Sequence, residues 1–315
     1  MQTFFVLAEA GRSYGMGHVV RLFALCELLG IEKQVKVCIK TDWTAEEASA
    51  IDFLFHQIEL VKDDHAAIDK IPPGSIVLMD GYHFSIEKIN EAKKQKQWKI
   101  VFVADVQQHV PNCDLLINHL PWIKETDYPD AIIEKKLVGP SFAILRKPFY
   151  SKKKILSENR ILVCLGGSGV ENILLHIYSA LIANGIAADK IDVLYNRPIN
   201  GIPEHSIHFN LGAEQVYKLI AKAGVCFITP GNISYEVFSI GRNAVMGTVT
   251  ENQVPVARKF NDLNLAFNIG SWATANFENL QLWIDEASNT SNCQKLFFKK
   301  MDKQNIQDHF INLTN

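Results

Sequence analysis

The chain has 315 residues, 48% of them hydrophobic and 21% charged, a composition typical of folded soluble proteins. This length suits two domains better than a single hydrophobic core. The formal net charge of −2 excludes an overall field that would attract nucleic acid or an anionic membrane surface. No apolar run is long enough for an integral membrane segment, and no basic segment precedes the short apolar start as in a signal peptide, so we expect a cytoplasmic protein.

Short apolar runs alternate with helical patterns along the chain, which predicts an α/β fold with parallel sheets. The predicted strands are Thr3–Leu7, Val35–Ile39, Ser75–Met79, Ile100–Val103, Leu115–Asn118, Arg160–Leu165, Ile191–Tyr195, Ile207–Phe209, Val225–Ile228 and Ala244–Gly247. The predicted helices are Val19–Leu29, Ala45–Phe55, Ile86–Lys94, Glu171–Ala183, Ala213–Ala221, Ser234–Ile240 and Pro255–Phe267, with helical spacing again from about Cys293.

The strand–helix pattern restarts near residue 160, after a polar and basic segment at 147–159. We therefore predict an N-terminal Rossmann-like domain over 1–149 and a C-terminal one over 150–315, each of ordinary domain size. Ligands of such sheets bind at the carboxyl ends of the strands, so the candidate site residues are sought in the loops that follow them.

The first strand leads into a glycine-containing loop and then a helix. Gly15 and Gly17 let the backbone turn tightly and approach a ligand. His18 falls in the first turn of the helix, where the helix dipole disfavours a positive charge, so a neutral imidazole could act as a general base. Arg21 lies one turn further and could face an anion. The alternative is a capping histidine beside an exposed arginine.

Two loops in the second half have the same strand–glycine–helix character. Gly167 and Ser168 precede a helix whose N-terminus would favour phosphate, unless the segment is a plain tight turn. Gly231 and Asn232 begin the later helix, and Glu236 could accept hydrogen bonds from both ribose hydroxyls. The alternative for Glu236 is an acidic residue favoured by the helix dipole.

Other polar residues follow further strands. Asn252 and Gln253 could bind sugar hydroxyls or phosphate, while Asp80 and Asp105 end two strands at the edge predicted for His18 and could orient a histidine or a water. Each alone is also consistent with a turn or cap residue.

No metal and no other cofactor is predicted from the sequence. The ten histidines lack metal-ligand spacing. The six cysteines lack a CxxC spacing, which indicates free thiols in a reducing compartment rather than a catalytic cysteine.

An ordered set of segments resembles a known family of the B-type glycosyltransferase fold. The segments are GMGHVVR (15–21), NCDLLIN (112–118), GPSFAILRKPF (139–149), ILVCLGGSGVENI (161–173), ITPGNISYEVFSIG (228–241) and ENQ (251–253). They are similar to the bacterial UDP-2,4-diacetamido-2,4,6-trideoxy-β-L-altrose hydrolases of pseudaminic acid synthesis and to related spore-coat polysaccharide proteins. The resemblance implies two Rossmann-like domains whose sheets face a central cleft.

The resemblance also implies roles for individual residues. His18 matches the family's proposed general base for water, with Gly15 and Gly17 in its glycine loop. Gly167 and Ser168 match the phosphate-side loop. Three further residues match the nucleotide side, namely Glu236 at the ribose and the pair Asn252 and Gln253.

The chain departs from the family pattern at three places. Gly169 stands where an acidic residue is common, and Ala104 stands where the first of two consecutive acids is common. Thr229, Pro230 and Gly231 replace a serine- or glycine-rich loop.

The resemblance implies a hydrolase that takes a small-molecule UDP-sugar. A glycosyltransferase that uses a UDP-sugar donor shares the fold and the nucleotide site, because fold alone does not determine the reaction. A non-catalytic nucleotide-sugar binding protein is a third possibility, which Gly169 and Ala104 permit. A Rossmann oxidoreductase is disfavoured, because no full GxGxxG motif is followed by an acidic residue at the required distance. The sequence does not predict an oligomeric state.

Overall fold

The structure is a computed structural model with two units, each having its own sheet. It describes residues 3–11, 15–44, 54–55, 57–104, 109–151, 155–166, 169–209, 211–299 and 301–314. Unit 1 comprises Met1–Arg146 with Lys300–Asn315, and unit 2 comprises Lys147–Lys299. The range predicted for the second domain, 150–315, therefore differs at its end, where the last residues join unit 1.

The bounds of the strands and helices in the described ranges are as follows. The strands are β1 (Phe4–Glu9), β2 (Val35–Lys40), β3 (Ile58–Val61), β4 (Ile76–Asp80), β5 (Lys99–Ala104), β6 (Cys113–Asn118), β7 (Ile133–Val138), β8 (Arg160–Cys164), β9 (Ile191–Leu194), β10 (Ile207–His208), β11 (Ala223–Ile228), β12 (Asn243–Thr248) and β13 (Phe267–Ser271). The helices are α1 (Gly17–Leu29), α2 (Asp64–Lys70), α3 (Ile86–Lys96), α4 (Lys147–Ser151), α5 (Glu171–Ala183), α6 (Ala213–Lys222), α7 (Asn232–Ile240), α8 (Val254–Asp262), α9 (Leu280–Ala287), α10 (Thr290–Phe297) and α11 (Lys303–Thr314).

Each unit contains a parallel sheet whose strand order reverses once. In unit 1 the order is β3-β2-β1-β4-β5-β6-β7, and in unit 2 it is β10-β9-β8-β11-β12-β13. Neighbouring strands pair in parallel throughout these ladders. The order reverses between β1 and β4 in unit 1 and between β8 and β11 in unit 2. Such a reversal leaves a crevice at the carboxyl ends of the strands, where ligands of open α/β sheets bind.

The strands form because their apolar runs are buried on both faces of each sheet. In unit 1, Ile76 and Leu78 of β4 belong to the core shared with α1 and α11. Since side chains alternate along a strand, Asp80 points to the same face as these two residues. Met79 points to the opposite face, which α3 covers. The side chains of Met79 and Asp80, at the end of β4, therefore lie on opposite faces of the sheet.

The last helix explains why the chain's final residues belong to unit 1. Ile306 and Phe310 of α11 are buried in the unit 1 core, and the Phe310 ring lies 5.8 Å from that of Phe4. Gln307 Nε2 donates to the Leu28 carbonyl at 2.6 Å. The helical spacing predicted from about Cys293 is confirmed by the end of α10, in unit 2, and by α11, which packs in the core of unit 1.

The predicted fold class of two parallel α/β units is confirmed, with local corrections. Strands β3, β7 and β13 and helices α2, α4 and α9 were not predicted. The predicted helix Pro255–Phe267 is wrong at its end, because α8 stops at Asp262. Asn264 adopts a left-handed φ of 53°, and Phe267 begins β13. The predicted helix Ala45–Phe55 falls mostly outside the described residues.

Candidate functional site

His18 and Asp80 meet at the point in unit 1 where the strand order reverses. Asp80 ends β4 and is 1% exposed, and His18, the second residue of α1, is 4% exposed. His18 Nδ1 lies 2.7 Å from Asp80 Oδ1. Because a carboxylate only accepts hydrogen bonds, Nδ1 is the donor in this contact, and an imidazole with one proton in that tautomer carries its lone pair on Nε2. In this contact the carboxylate of Asp80 fixes the orientation of the His18 ring.

Arg21 holds the same carboxylate from its other side. Its Nε donates to Asp80 Oδ2 at 2.7 Å and its Nη2 donates to Asp80 Oδ1 at 2.7 Å. Arg21 is 3% exposed. The anion that it faces is thus Asp80, whereas the sequence predicted Arg21 among the ligand-binding residues. A bidentate guanidinium fixes the plane of the carboxylate and hence the direction of its bond to His18.

The predicted glycine loop lies directly before α1. Gly11 and Gly15 exchange two backbone hydrogen bonds, of 3.1 Å and 2.8 Å, and Gly15 has a left-handed φ of 71°. Gly17 is the first residue of α1. A side chain at residue 15 would strain this conformation. The closed loop therefore sets the direction in which α1 starts and His18 projects.

A buried carboxylate that sequence reasoning missed holds the loop after β4. Glu9, at the end of β1, is 0% exposed and accepts the backbone N–H groups of Tyr82 at 2.7 Å and His83 at 3.1 Å. Lys40, at the end of β2, donates to the His83 carbonyl at 2.7 Å. The ends of β1 and β2 thus fix the backbone that follows Asp80.

Asp64 of α2 completes this network. It lies 2.8 Å from Lys40 Nζ and accepts the Ser85 N–H at 2.7 Å. Burial alone would lower the pKa of Lys40, but Asp64 and Glu9 raise it above its ordinary value. The network places Tyr82 edge-on against the His18 ring, with the ring centroids 4.6 Å apart. The rule that polar residues at strand ends converge at one edge could have found Glu9 and Lys40.

In unit 2 the predicted phosphate-side loop lies at the corresponding position. Gly166 and Gly169 have left-handed φ values of 64° and 79°, and α5 begins at Glu171. Gly167 and Ser168 lie outside the described residues, as does Asp105 in unit 1. Their predicted roles therefore stay predictions.

The loop between β11 and α7 is tied to the end of β8. Ser234 Oγ accepts the Gly231 N–H at 3.2 Å and donates to the Thr229 carbonyl at 2.9 Å. The Thr229 hydroxyl donates to the Leu165 carbonyl at 2.7 Å. Asn232 is the first residue of α7. The two loops that flank the reversal in unit 2 are thus one connected structure.

The three other predicted nucleotide residues lie in different surroundings. Glu236 is 5% exposed, in the second turn of α7. Gln253 Oε1 accepts the Val249 N–H at 2.9 Å, and Asn252 Oδ1 accepts the Thr250 hydroxyl at 2.6 Å. Gln253 thereby closes its own turn, while the exposed Asn252 lies at the surface.

The described residues were also examined for a metal site, a disulfide and a membrane-spanning helix. Within them, no three His, Cys, Asp or Glu side chains are grouped so that they could hold a metal ion. The six cysteines are free, and burial raises the pKa of Cys38 to about 11. No helix in the described part of the chain is both long and apolar enough to cross a membrane.

Two parallel α/β units, each with a glycine loop where its strand order reverses, define a B-type glycosyltransferase fold. A solved structure agrees: the calicheamicin glycosyltransferase CalG4 superposes with a TM-score of 0.61 and 11% identity, over 99% of this chain and 98% of that one. At that identity the likeness shows the fold alone.

Two curated proteins are similar in sequence. The UDP-2,4-diacetamido-2,4,6-trideoxy-beta-L-altropyranose hydrolase of Campylobacter jejuni is 27% identical over 133 residues, which span 41% of this chain and 45% of the enzyme. The spore coat polysaccharide biosynthesis protein SpsG of Bacillus subtilis is 25% identical over 287 residues, 84% of this chain and 83% of that protein. No family model matches. The resemblance predicted from the motifs is confirmed: this is a B-type-fold chain similar to the hydrolase and to SpsG.

Proposed function

We propose that this chain is a nucleotide-sugar hydrolase that releases UDP from a UDP-linked diacetamido-trideoxy sugar, for the synthesis of a nonulosonic acid such as pseudaminic acid or of another surface polysaccharide. The similarity to the Campylobacter hydrolase and to SpsG supports the substrate class. The observation that carries the reaction type is the 2.7 Å contact between His18 Nδ1 and Asp80. It orients an imidazole as a base for water.

In the proposed reaction, His18 Nε2 takes a proton from a water molecule as the water oxygen attacks the anomeric carbon. The new carbon–oxygen bond forms while the bond from that carbon to the UDP oxygen breaks, and UDP leaves with the electron pair. Asp80 stabilises the imidazolium that forms, and Arg21 keeps Asp80 in place. Asp105 stays a predicted second acid.

The nucleotide contacts in this proposal are those predicted from the sequence. Gly167 and Ser168, with the N-terminus of α5, would bind phosphate, and backbone donors there would stabilise charge on the leaving diphosphate. Glu236 would hold the ribose. The remaining nucleotide-side residues are Gly231, Asn232, Asn252 and Gln253.

The test is release of UDP from the UDP-linked diacetamido-trideoxy-altrose without any acceptor. His18→Ala and His18→Asn should lower kcat by about 10²–10⁴-fold, while UDP affinity measured by calorimetry stays unchanged. His65→Ala serves as the control, since the side chain of His65 is 80% exposed and lies on α2. Normal turnover by the His18 variants would contradict the role given to His18.

A glycosyltransferase is the second candidate, because CalG4 shares the fold. UDP release that requires an added sugar acceptor would favour it. Tight UDP binding without release under either condition would instead indicate a non-catalytic binding protein.

A further inference from the structure

A second histidine at the candidate site faces a buried carboxylate. His83 Nδ1 lies 3.2 Å from Glu9 Oε2, and Glu9 is 0% exposed at the end of β1. Because the carboxylate only accepts hydrogen bonds, Nδ1 donates in this contact and Nε2 lies on the other side of the ring. The His83 side chain is 59% exposed, so a ligand can reach it. His83 is therefore paired with an acid as His18 is paired with Asp80.

His83 lies near His18 at the same edge of the unit 1 sheet. The carboxylates that face the two histidines end neighbouring strands, since Glu9 ends β1 and Asp80 ends β4. The ring of Tyr82 joins the two imidazoles, with its centroid 4.6 Å from that of His18 and 6.2 Å from that of His83. A substrate whose anomeric carbon lies beside His18 therefore meets His83 one aromatic ring further along this edge.

The charged groups around His83 come from three elements. Glu9 of β1 and Asp64 of α2 share one cation, Lys40 of β2, whose Nζ lies 3.4 Å from Glu9 Oε1 and 2.8 Å from Asp64 Oδ1. Lys40 also donates to the His83 carbonyl, so all three groups surround this residue. When ionised, the three carry one net negative charge. A protonated imidazole at position 83 would balance that charge and would make Nε2 a hydrogen-bond donor.

The charges around His18 differ from those around His83. Arg21 gives Asp80 two hydrogen bonds of 2.7 Å, so this carboxylate already has a cation and needs none from the imidazole. One histidine of the site thus lies beside a neutral ion pair, and the other lies beside an anionic cluster. Environments that separate two titratable groups in this way distinguish a base from an acid.

We propose that His83 is the general acid of the reaction and gives a proton to the UDP oxygen that leaves the anomeric carbon. The inference rests on the proposed function, in which His18 takes a proton from the attacking water. As the bond from the anomeric carbon to the UDP oxygen breaks, the electron pair stays on that oxygen and the proton of His83 Nε2 moves to it. Each turnover leaves His18 with one proton more and His83 with one fewer, and exchange with water restores both.

The test is the pH profile of kcat for UDP release from the UDP-linked diacetamido-trideoxy-altrose, from about pH 5 to pH 10. The wild-type profile should be bell-shaped, because one imidazole must be neutral and the other protonated. His83→Gln has no proton to transfer, so kcat should fall about 10²-fold and the decline at high pH should disappear. His65→Gln is the matched control and should keep the wild-type profile, since His65 Nδ1 also faces a carboxylate, that of Asp69 at 3.0 Å, but on the exposed surface of α2.

His83→Lys separates proton transfer from the loss of the imidazole. Lysine has an ordinary pKa of about 10.4, against about 6.5 for histidine. The decline of kcat should therefore move to higher pH, and kcat should exceed that of His83→Gln. Thermal denaturation checks that both variants fold.

Two results would overturn the proposal, and they are distinguishable. A His83→Gln protein with the wild-type kcat and profile would reject the acid role of His83, while loss of turnover in His18→Asn would leave the hydrolase standing. A wild-type protein that releases no UDP would reject the hydrolase and the acid role together.

Discussion

At the scale of single residues, the Asp80 carboxylate of unit 1 is held by two side chains. It faces a histidine and a guanidinium at 2.7 Å, with all three side chains nearly inaccessible to water. Burying such a pair costs desolvation that the attraction barely offsets. The arrangement is therefore better explained by the need to orient His18 than by a gain in stability.

Asp80→Asn tests whether Asp80 serves mainly to orient His18 or mainly to stabilise the fold. We expect a loss of kcat of about 10² or more, because the amide no longer requires the proton on His18 Nδ1. We also expect the free energy of unfolding to fall by about 3–5 kcal/mol, because the buried guanidinium of Arg21 loses the carboxylate charge that it faces. Urea denaturation and UDP release measure the two effects.

The double variant Asp80→Asn with Arg21→Met provides the control for that experiment. It also removes the buried guanidinium charge that Asp80 balances, so it should regain stability without regaining turnover. Recovery of activity in the double variant would show that Asp80 acts only through folding.

At the scale of elements, the loop between β4 and α3 is tightly packed at its first residue. A Cβ atom at Gly81 would lie 2.6 Å from Phe84 and 2.9 Å from Glu9. These distances are too short for real contacts, so the loop can take this path only with glycine at position 81. The next residue, Tyr82, then packs its ring against that of His18.

Gly81→Ala should therefore lower the free energy of unfolding by about 1–3 kcal/mol, the usual cost of overpacking. Thermal and urea denaturation measure it. Adding Phe84→Leu removes one of the two contacts and should make the alanine less costly than it is in the presence of Phe84. A Gly81→Ala protein as stable as wild type would contradict this description of the loop.

A second element-scale feature ties three strands of unit 2 through Asp192 of β9. It accepts hydrogen bonds from Arg160 of β8 at 2.8 Å and His208 of β10 at 2.7 Å. Burial alone would raise the pKa of Asp192, but His208 and Arg160 lower it below its ordinary value. A carboxyl whose pKa is lower in the folded state stabilises the fold above its unfolded pKa, about 3.9.

Asp192→Asn should consequently be less stable than wild type at pH 7, with the difference shrinking as the pH falls below about 4. Urea midpoints measured from pH 7 to pH 3 would reveal this convergence. Asp285→Asn is the control, because Asp285 is exposed on α9. A difference that stays constant with pH would exclude a titrating role for Asp192.

At the scale of the whole molecule, unit 1 is built from two separate stretches of the chain. Helix α11 fills part of its core with Ile306 and Phe310. Phe310→Ala should therefore destabilise unit 1 by about 3–5 kcal/mol, measured by urea denaturation. The neighbouring Ile311→Ala should change stability by less than about 0.5 kcal/mol, because Ile311 is 51% exposed. Equal effects would contradict the packing of α11.

The parts of the fold that could be predicted are those whose signals are local. The pattern of an apolar run, a glycine loop and a helical segment predicted β1 and α1. Because the carboxyl ends of parallel strands meet at one edge of the sheet, Asp80 was predicted to lie on the same edge as His18. Strand β7, IEKKLV, was missed because it lies at the edge of its sheet and its charged residues hide the strand pattern. The helical spacing of α11 was predicted, but its residues were assigned to the second domain, because the spacing of a helix does not reveal which unit covers it.

The sequence predicted only some of the residues and contacts of the candidate site. Its glycine loops and His18 follow from motifs, whereas the link from Glu9 to Tyr82 joins residues far apart in the chain. Only the register of β1 beside β4 brings them together. The contact between Arg21 and Asp80 was not predicted, because the spacing of a motif does not reveal which acid lies opposite, and a ligand contact of Arg21 stays a prediction.

The placement of α11 also has a consequence for the order in which the molecule is completed during synthesis. Domains generally fold as units when their residues have left the ribosome. Every residue of unit 2 emerges before α11, so unit 2 can finish folding while unit 1, although begun first, still lacks Ile306 and Phe310. Of the two units, the one that carries His18 is therefore completed later on a growing chain.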